Sequence, residues 1–163
     1  MMQTWNWLNE TVQQLPRGAF LMVQGNPMTI GWAQFGVLWG KPTATVYVRH
    51  SRYTHTLLED VDTFTISVPA LGTMQQALAY CGTHSGRNGD KCAAIGYATV
   101  PAQFGVQDGL SGCKYQIECR ILHRSELDEH AIENDLLRDR YYATGDTHTA
   151  YVGEILGVTE EPQ

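Results

Sequence analysis

Residues 113–123 carry an alternation of apolar and polar side chains. Tyr115, Ile117, Cys119 and Ile121 fall on one face, and Lys114, Gln116, Glu118 and Arg120 on the other. A period of two is the signature of a strand with one buried face. Thr43–Arg49 (TATVYVR) is rich in β-branched residues and reads as a second strand. Further strands are expected at Gly18–Val23, Met28–Leu38, Thr63–Val68 and Thr147–Val158. Gly31 and Gly36 inside the second of these mark a bulge or a close backbone approach. Gly25-Asn26-Pro27 and Trp39-Gly40-Lys41-Pro42 read as turns.

The expected helices are few and short. Trp5, Leu8, Val12 and Leu15 lie at helical spacing, stopped by Pro16, on a segment that covers either a core or a partner. His55–Val61 follows two N-cap candidates, Ser51 and Thr54. Thr73–Tyr80 is helical, Cys92–Ile95 begins a short helix, and Asp128–Arg140 is a helix or an excursion. About six adjoining strands with short helices fit a mainly β antiparallel barrel better than a parallel βαβ sheet.

A length of 163 residues suits a single domain, 1–163, with residues 1–16 as a helical appendage. Charged residues make up 17%, below the usual ~25%, which implies surface hidden against a ligand or a second subunit. The net charge of −6 divides unevenly, about +2 over residues 1–125 and −8 over 126–163. This acidity argues against nucleic acid, and the acidic 126–163 stretch reads as solvated surface. The lack of a signal segment or long apolar run points to the cytoplasm, no membrane, and reduced thiols. Cys81, Cys92, Cys113 and Cys119 form no C-x-x-C pair. The six histidines lack ligand-like i, i+4 spacing, so no metal is expected. Phosphate-loop, zinc-protease, nucleophile-elbow and dinucleotide motifs are all absent. The chain is therefore a binding module, or its chemistry is carried by a cofactor.

Three segments carry the features of an anion and ring site. Asn26–Trp32 runs from a turn into a glycine-containing strand that can offer backbone N–H groups to a flat ligand. Its plain alternative is a hairpin entry. Arg49-His50-Ser51-Arg52-Tyr53-Thr54 places two arginines and two hydroxyls before a helix start, where a phosphate is favoured. Its alternative is a capped helix with solvated arginines. Cys81–Lys91 (CGTHSGRNGDK) gathers glycines, hydroxyls and two cations in a loop able to close over an anion, or else is an ordinary surface loop.

The ordered set N-P-M-T-I-G-W (26–32), V-R-H-S-R-Y-T (48–54), C-G-T-H-S-G-R-N-G-D-K (81–91) and G-D-T-H-x4-G-E-I (145–155) resembles the flavin reductase-like, FMN-binding split-barrel family, its flavoredoxin-like branch in particular. The resemblance spans about Gly18 to Val158. It implies a six-stranded antiparallel split barrel of Greek-key type, forming a homodimer with FMN near the interface. It also implies electron transfer from NADH or NADPH through the flavin to a small molecule or redox partner protein. An FMN-binding electron carrier and a non-catalytic ligand-binding module are the alternatives. By position, Met28, Thr29, Ile30 and Trp32 would lie along the isoalloxazine ring. Arg49, Ser51, Arg52, Tyr53 and Thr54 would surround the ribityl and phosphate end. Gly82, Ser85, Gly86 and Lys91 would complete the pocket. His148 resembles a histidine on the nicotinamide side, or else serves packing. Cys92 stands where many relatives have an aromatic residue. The run Ser51-Arg52-Tyr53-Thr54 replaces a Ser-Ser-Thr phosphate motif and favours the flavoredoxin-like branch.

Overall fold

The computed structural model describes residues 5–163; residues 1–4 of the expected appendage lie outside them. In chain order the elements are α1 (Leu8–Gln14), β1 (Ala19–Val23), β2 (Asn26–Ile30), β3 (Ala33–Leu38), β4 (Lys41–Arg49), α2 (Tyr53–Leu58), β5 (Thr63–Val68) and α3 (Gln75–Thr83). Then follow α4 (Lys91–Ile95), β6 (Thr99–Val100), β7 (Gly109–Leu110), β8 (Tyr115–Glu126), α5 (Asp135–Tyr142) and β9 (His148–Glu160).

Seven strands form one antiparallel sheet in the order β2-β1-β5-β8-β9-β4-β3, and β6 and β7 form a separate ribbon. The expected six strands become seven because Met28–Leu38 is two strands, broken at Gly31-Trp32. That break shapes the barrel. β2 and β3 are the two edges of the sheet, yet Ile30 and Ala33 are only three residues apart, a span of at most about 11 Å. The edges must therefore meet at this corner, and the sheet curls into a barrel split along one seam.

Both expected turns are present but tighter than expected: Lys41 and Pro42 already belong to β4, which leaves Trp39-Gly40 as the second turn. Val23 pairs with Asn26 around Gln24 and Gly25, so Asn26 and Pro27 already belong to β2. Gln24 and Gly25 both have positive φ, 51° and 73°, the two-residue hairpin geometry whose twist matches the strands. Pro27 is tolerated because β2 is an edge.

The barrel interior is filled from alternate positions: Leu21 and Val23, Met28 and Ile30, Val46 and Val48, Phe64 and Ile66, Ile117 and Cys119, with Tyr151 and Ile155 from β9. Trp7 and Leu15 pack on this cluster, so the N-terminal helix covers the core; Val12, expected on the same face, is half exposed. A second cluster on the outer face of β1 joins Phe20 and Met22 to Ala77, Leu78 and Cys81 of α3.

β8 keeps its expected apolar face, but its first half is buried on both sides. Gln116 and Glu118 were expected in solvent and are covered. The Glu118 carboxylate accepts from the backbone N–H groups of Gln103 and Phe104 at 2.8 and 2.9 Å. The Gln116 amide bonds Ser67 and the Leu110 carbonyl. The chain between β6 and β8 is thus fastened over polar residues whose hydrogen bonds are satisfied.

Candidate functional site

A cleft of about 300 Å³ opens beside the seam. Met28, Thr29, Ile30, Gly31 and Trp32 line one wall, Tyr47, Arg49 and Arg52 another, and Tyr141 and His148 a third. Seven expected site residues thus meet from three separate sequence segments. The strand pair β4–β9 sets Arg49 directly opposite His148.

What each residue offers differs from the expectation. Met28 and Ile30 are 3% and 5% exposed, with their side chains in the barrel core, so they present mainly backbone to the cleft. As part of a sheet edge, β2 leaves one row of N–H and C=O groups without a strand partner. The Thr29 hydroxyl donates to the Leu78 carbonyl of α3 at 2.6 Å. Trp32 is exposed, with its ring 5.0 Å from those of both Tyr141 and His148.

The two cleft arginines are oriented by backbone carbonyls. Arg49 donates to the carbonyls of Asp146 (2.7 Å) and Tyr141 (3.0 Å). Arg52 donates to those of Gly82 (3.2 Å) and Cys81 (3.3 Å) at the end of α3. A guanidinium has five donors, so each keeps others for a ligand. Burial lowers the Arg52 pKa.

His148 is buried. Burial first, then the Arg49 charge, pushes its pKa down to about 4, so the ring is neutral at pH 7. Its Nδ1 meets the Tyr142 hydroxyl at 2.8 Å. Burial raises the Tyr142 pKa, which keeps that phenol protonated. His148 is therefore a neutral hydrogen-bonding group and not a store of positive charge.

The remaining expected residues lie around this cleft. Tyr53, Gly86 and Lys91 line a second cleft of about 300 Å³ with Asn26, Gly25 and Asp90. Lys91 is buried, and its Nζ donates to the carbonyls of Cys81 (3.2 Å) and His84 (3.0 Å). A Cβ on Gly86 would meet Asn26 and stand 2.8 Å from the Tyr53 ring, so only glycine lets this corner close. Ser51 is not a helix cap; its N–H and hydroxyl both donate to the Asp146 carboxylate, which lowers the Asp146 pKa. Thr54 sits inside α2 and accepts from the Asn26 amide at 3.2 Å. α2 begins at Tyr53 with no side-chain cap.

The Cys81–Lys91 stretch is not an open loop. Cys81, Gly82 and Thr83 finish α3, Ser85 caps a short 3-10 turn at Gly86–Asn88, and Asp90 caps α4. Arg52 and Lys91 hold the carbonyls that the end of α3 would otherwise leave to water.

Sequence reasoning missed Tyr47, Gly31, Tyr141 and Asp146. Tyr47 lies two residues before Arg49 on one strand, so the strand period alone would place it on the same face. Gly31 and Asp146 lie inside motifs already singled out. Tyr141 carries no local signal. The acidic 126–163 stretch is not merely solvated surface, since it supplies Asp146, His148 and the tyrosines of α5.

Among the described residues, no helix is long and apolar enough to cross a membrane. Residues 13–163 match the flavin reductase like domain family. An uncharacterized protein of Archaeoglobus fulgidus is 28% identical over 148 residues, which is 88% of this chain and 72% of the relative. Flavoredoxin of Methanosarcina acetivorans superposes with a TM-score of 0.68 at 23% identity, over 90% of this chain and 69% of that one. The FMN-binding protein of Thermus thermophilus with bound p-hydroxybenzaldehyde gives 0.67 at 25% identity, over 88% and 71%. The NADH:FAD oxidoreductase of Streptomyces globisporus gives 0.66 at 22% identity, over 89% and 75%. With the family match running from α1 to the last residue, the chain belongs to the flavin reductase-like domain family.

Proposed function

We propose that this chain binds FMN in the cleft beside the seam and passes electrons from NADH or NADPH through it to an acceptor. The observation that carries the reading is the state of four cations. Arg49, Arg52, Arg87 and Lys91 all hold backbone carbonyls or hydroxyls. Among the described residues, no carboxylate lies within ion-pair distance of any of them. Guanidiniums without a direct ion-pair partner, beside an aromatic wall and an unpartnered strand edge, suit a ligand with an anionic end and a flat polar ring.

FMN, when bound, supplies the hydride and single-electron chemistry that amino-acid side chains lack. The residues have the simpler tasks of binding and orienting. Arg49 and Arg52 offer donors to the phosphate end, with Ser51, Tyr53, Thr54, Gly82, Ser85, Gly86 and Lys91 building the ground beneath them. Thr29 fixes the β2 edge, whose backbone groups face the ring. Trp32 offers an aromatic face, and His148 a neutral hydrogen-bonding nitrogen. We also propose a homodimer. Val37, Leu38 and Trp39 are exposed at the β3 edge, as are Leu136 and Leu137 on α5.

The test is the purified protein itself. It should be yellow, release FMN on denaturation as identified by mass spectrometry, and bleach anaerobically with NADH or NADPH. Binding without bleaching would make it a flavin carrier reduced by a partner protein. A colourless protein that takes up no FMN overturns the reading.

A further inference from the structure

We propose that His50, His55 and Glu126 form a binding site for one divalent transition-metal ion of the zinc class. One ligand atom from each lies within 4.8 Å of the others. The three come from different elements: His50 follows β4, His55 lies in α2, and Glu126 ends β8. No local motif marks them for that reason. Four residues separate the histidines, and Glu126 arrives through the β8–β9 pairing.

The donor chemistry is apt. Two imidazoles and a carboxylate suit zinc and its first-row neighbours. The histidine rings stand 5.0 Å apart at 77°, so their edges converge and do not stack. His50 Nε2 and Glu126 Oε2 are already in contact. A tetrahedral ion with bonds of about 2.0–2.1 Å draws its ligands to about 3.4 Å from one another. Closing from 4.8 Å needs only side-chain rotation, and both His50 and Glu126 are exposed enough to make it.

Two features distinguish the cluster from a chance surface grouping. Thr149 is buried, and its hydroxyl donates to Glu126 Oε1 at 2.8 Å while meeting His55 Nε2 at 2.8 Å. One hydroxyl thus orients two of the three ligands, the outer-shell support that metal sites use. Its bond to Nε2 leaves His55 Nδ1 directed toward Glu59, whose Oε1 is 3.9 Å away. Glu59 thus adds negative charge beside His55, outside the three-residue cluster itself. The positive group nearby, Arg124, lies across the Tyr151 ring with its guanidinium held by the carbonyls of Leu58 and Val61.

The site does not depend on the flavin reading. Its test uses the full chain, stripped with a chelator and titrated with Zn²⁺ against a fluorescent competitor. One Zn²⁺ per chain is expected. His50→Ala and Glu126→Gln should each weaken binding at least tenfold. Thr149→Val, which removes a positioning hydroxyl and no ligand, should weaken it about tenfold. His130→Ala, at an exposed histidine elsewhere, serves as the control and should bind as wild type. Circular dichroism of each variant separates lost binding from lost fold, and His50, on an exposed corner, is the variant least able to disturb the core. Substoichiometric binding overturns the site. Equal affinity in His50→Ala and His130→Ala does so too, leaving His50 and Glu126 as an ion pair only.

Discussion

The two clefts that flank the last turn of α3 draw on the same short stretches of sequence, yet they spend their cations differently. Arg52 reaches the turn from the first cleft and uses two of its five donors on the Gly82 and Cys81 carbonyls. Lys91 reaches it from the second and uses two of its three on Cys81 and His84. Both grip the Cys81 carbonyl. Arg52 stays at the cleft wall with donors to spare, whereas Lys91 is 4% exposed with one left. A cation in a phosphate-like motif is thus first a helix cap, and only its unspent donors can serve a ligand. By that measure the proposed anion site belongs to the first cleft, and the second is chiefly scaffold.

Replacing Lys91 puts this contrast under the greatest strain. Lys91→Met keeps the length and apolar stem but removes the charged donor shared by the buried Cys81 carbonyl, which keeps Arg52, and the part-buried His84 carbonyl. The expected loss is about 3 kcal/mol of folding stability, read from urea denaturation. FMN affinity of the folded fraction should change far less. A variant that stays as stable as wild type but loses FMN binding would reverse the roles of the two clefts.

Arg52→Ala is the matching experiment on the other side. It should weaken FMN binding by about 1.5–3 kcal/mol, through loss of a charge-assisted contact, with a smaller loss of stability. Calorimetric titration with FMN at a temperature where the variant is folded measures it. Unchanged affinity would remove Arg52 from the site and leave it a helix cap like Lys91.

The contrast also shows what the sequence could reveal. The β8 alternation, the β4 run and the four ordered motifs were legible because each is local in its period or its spacing. Seven of the residues so named do share one cleft. What a side chain spends on its neighbours was not legible. Nothing in N-P-M-T-I-G-W tells that Met28 and Ile30 point into the barrel while Thr29 reaches α3. Nothing in the 126–163 charge count tells that Asp146 fastens Ser51. The two-faced burial of β8 escaped for the same reason, since a covered Glu118 needs the distant N–H groups of Gln103 and Phe104. The split of Met28–Leu38 into two strands was marked by Gly31, but the sharpness of the break follows from barrel closure, which no local window contains.

His148 sharpens the difference between the clefts by pH. In the unfolded chain its imidazole takes a proton near pH 6.5, but in the folded cleft only near 4, because burial and Arg49 oppose the charge. Between those values the unfolded state binds more protons, so stability falls as pH drops below 6.5 and is unaffected above it. The His148 share of the loss between pH 7.5 and 5 comes to about 2 kcal/mol. His148→Gln should lose less stability than wild type over that interval by about this amount, as read from denaturation midpoints at both pH values. Parallel losses in the two proteins would mean that the ring is solvated and that Arg49 does not set its charge state.

The smallest effect tests how the first cleft is tied to the shared helix. The Thr29 hydroxyl donates to the Leu78 carbonyl at 2.6 Å. Gly82 lies beside it, where a Cβ would make only an ordinary 3.4 Å contact with Thr29 Cβ. Thr29→Val replaces the hydroxyl by a methyl of similar volume and leaves the backbone of β2 in place. Because α3 continues to Thr83, the Leu78 carbonyl lies within the helix ladder and is not orphaned, so the loss should be only about 1 kcal/mol. FMN affinity should stay within about twofold, because on this account the cleft takes backbone groups from β2 and not the Thr29 hydroxyl. A tenfold fall in affinity with stability unmoved would make that hydroxyl a ligand donor. The division between scaffold and binding donors would then run through β2 itself as well as between the two clefts.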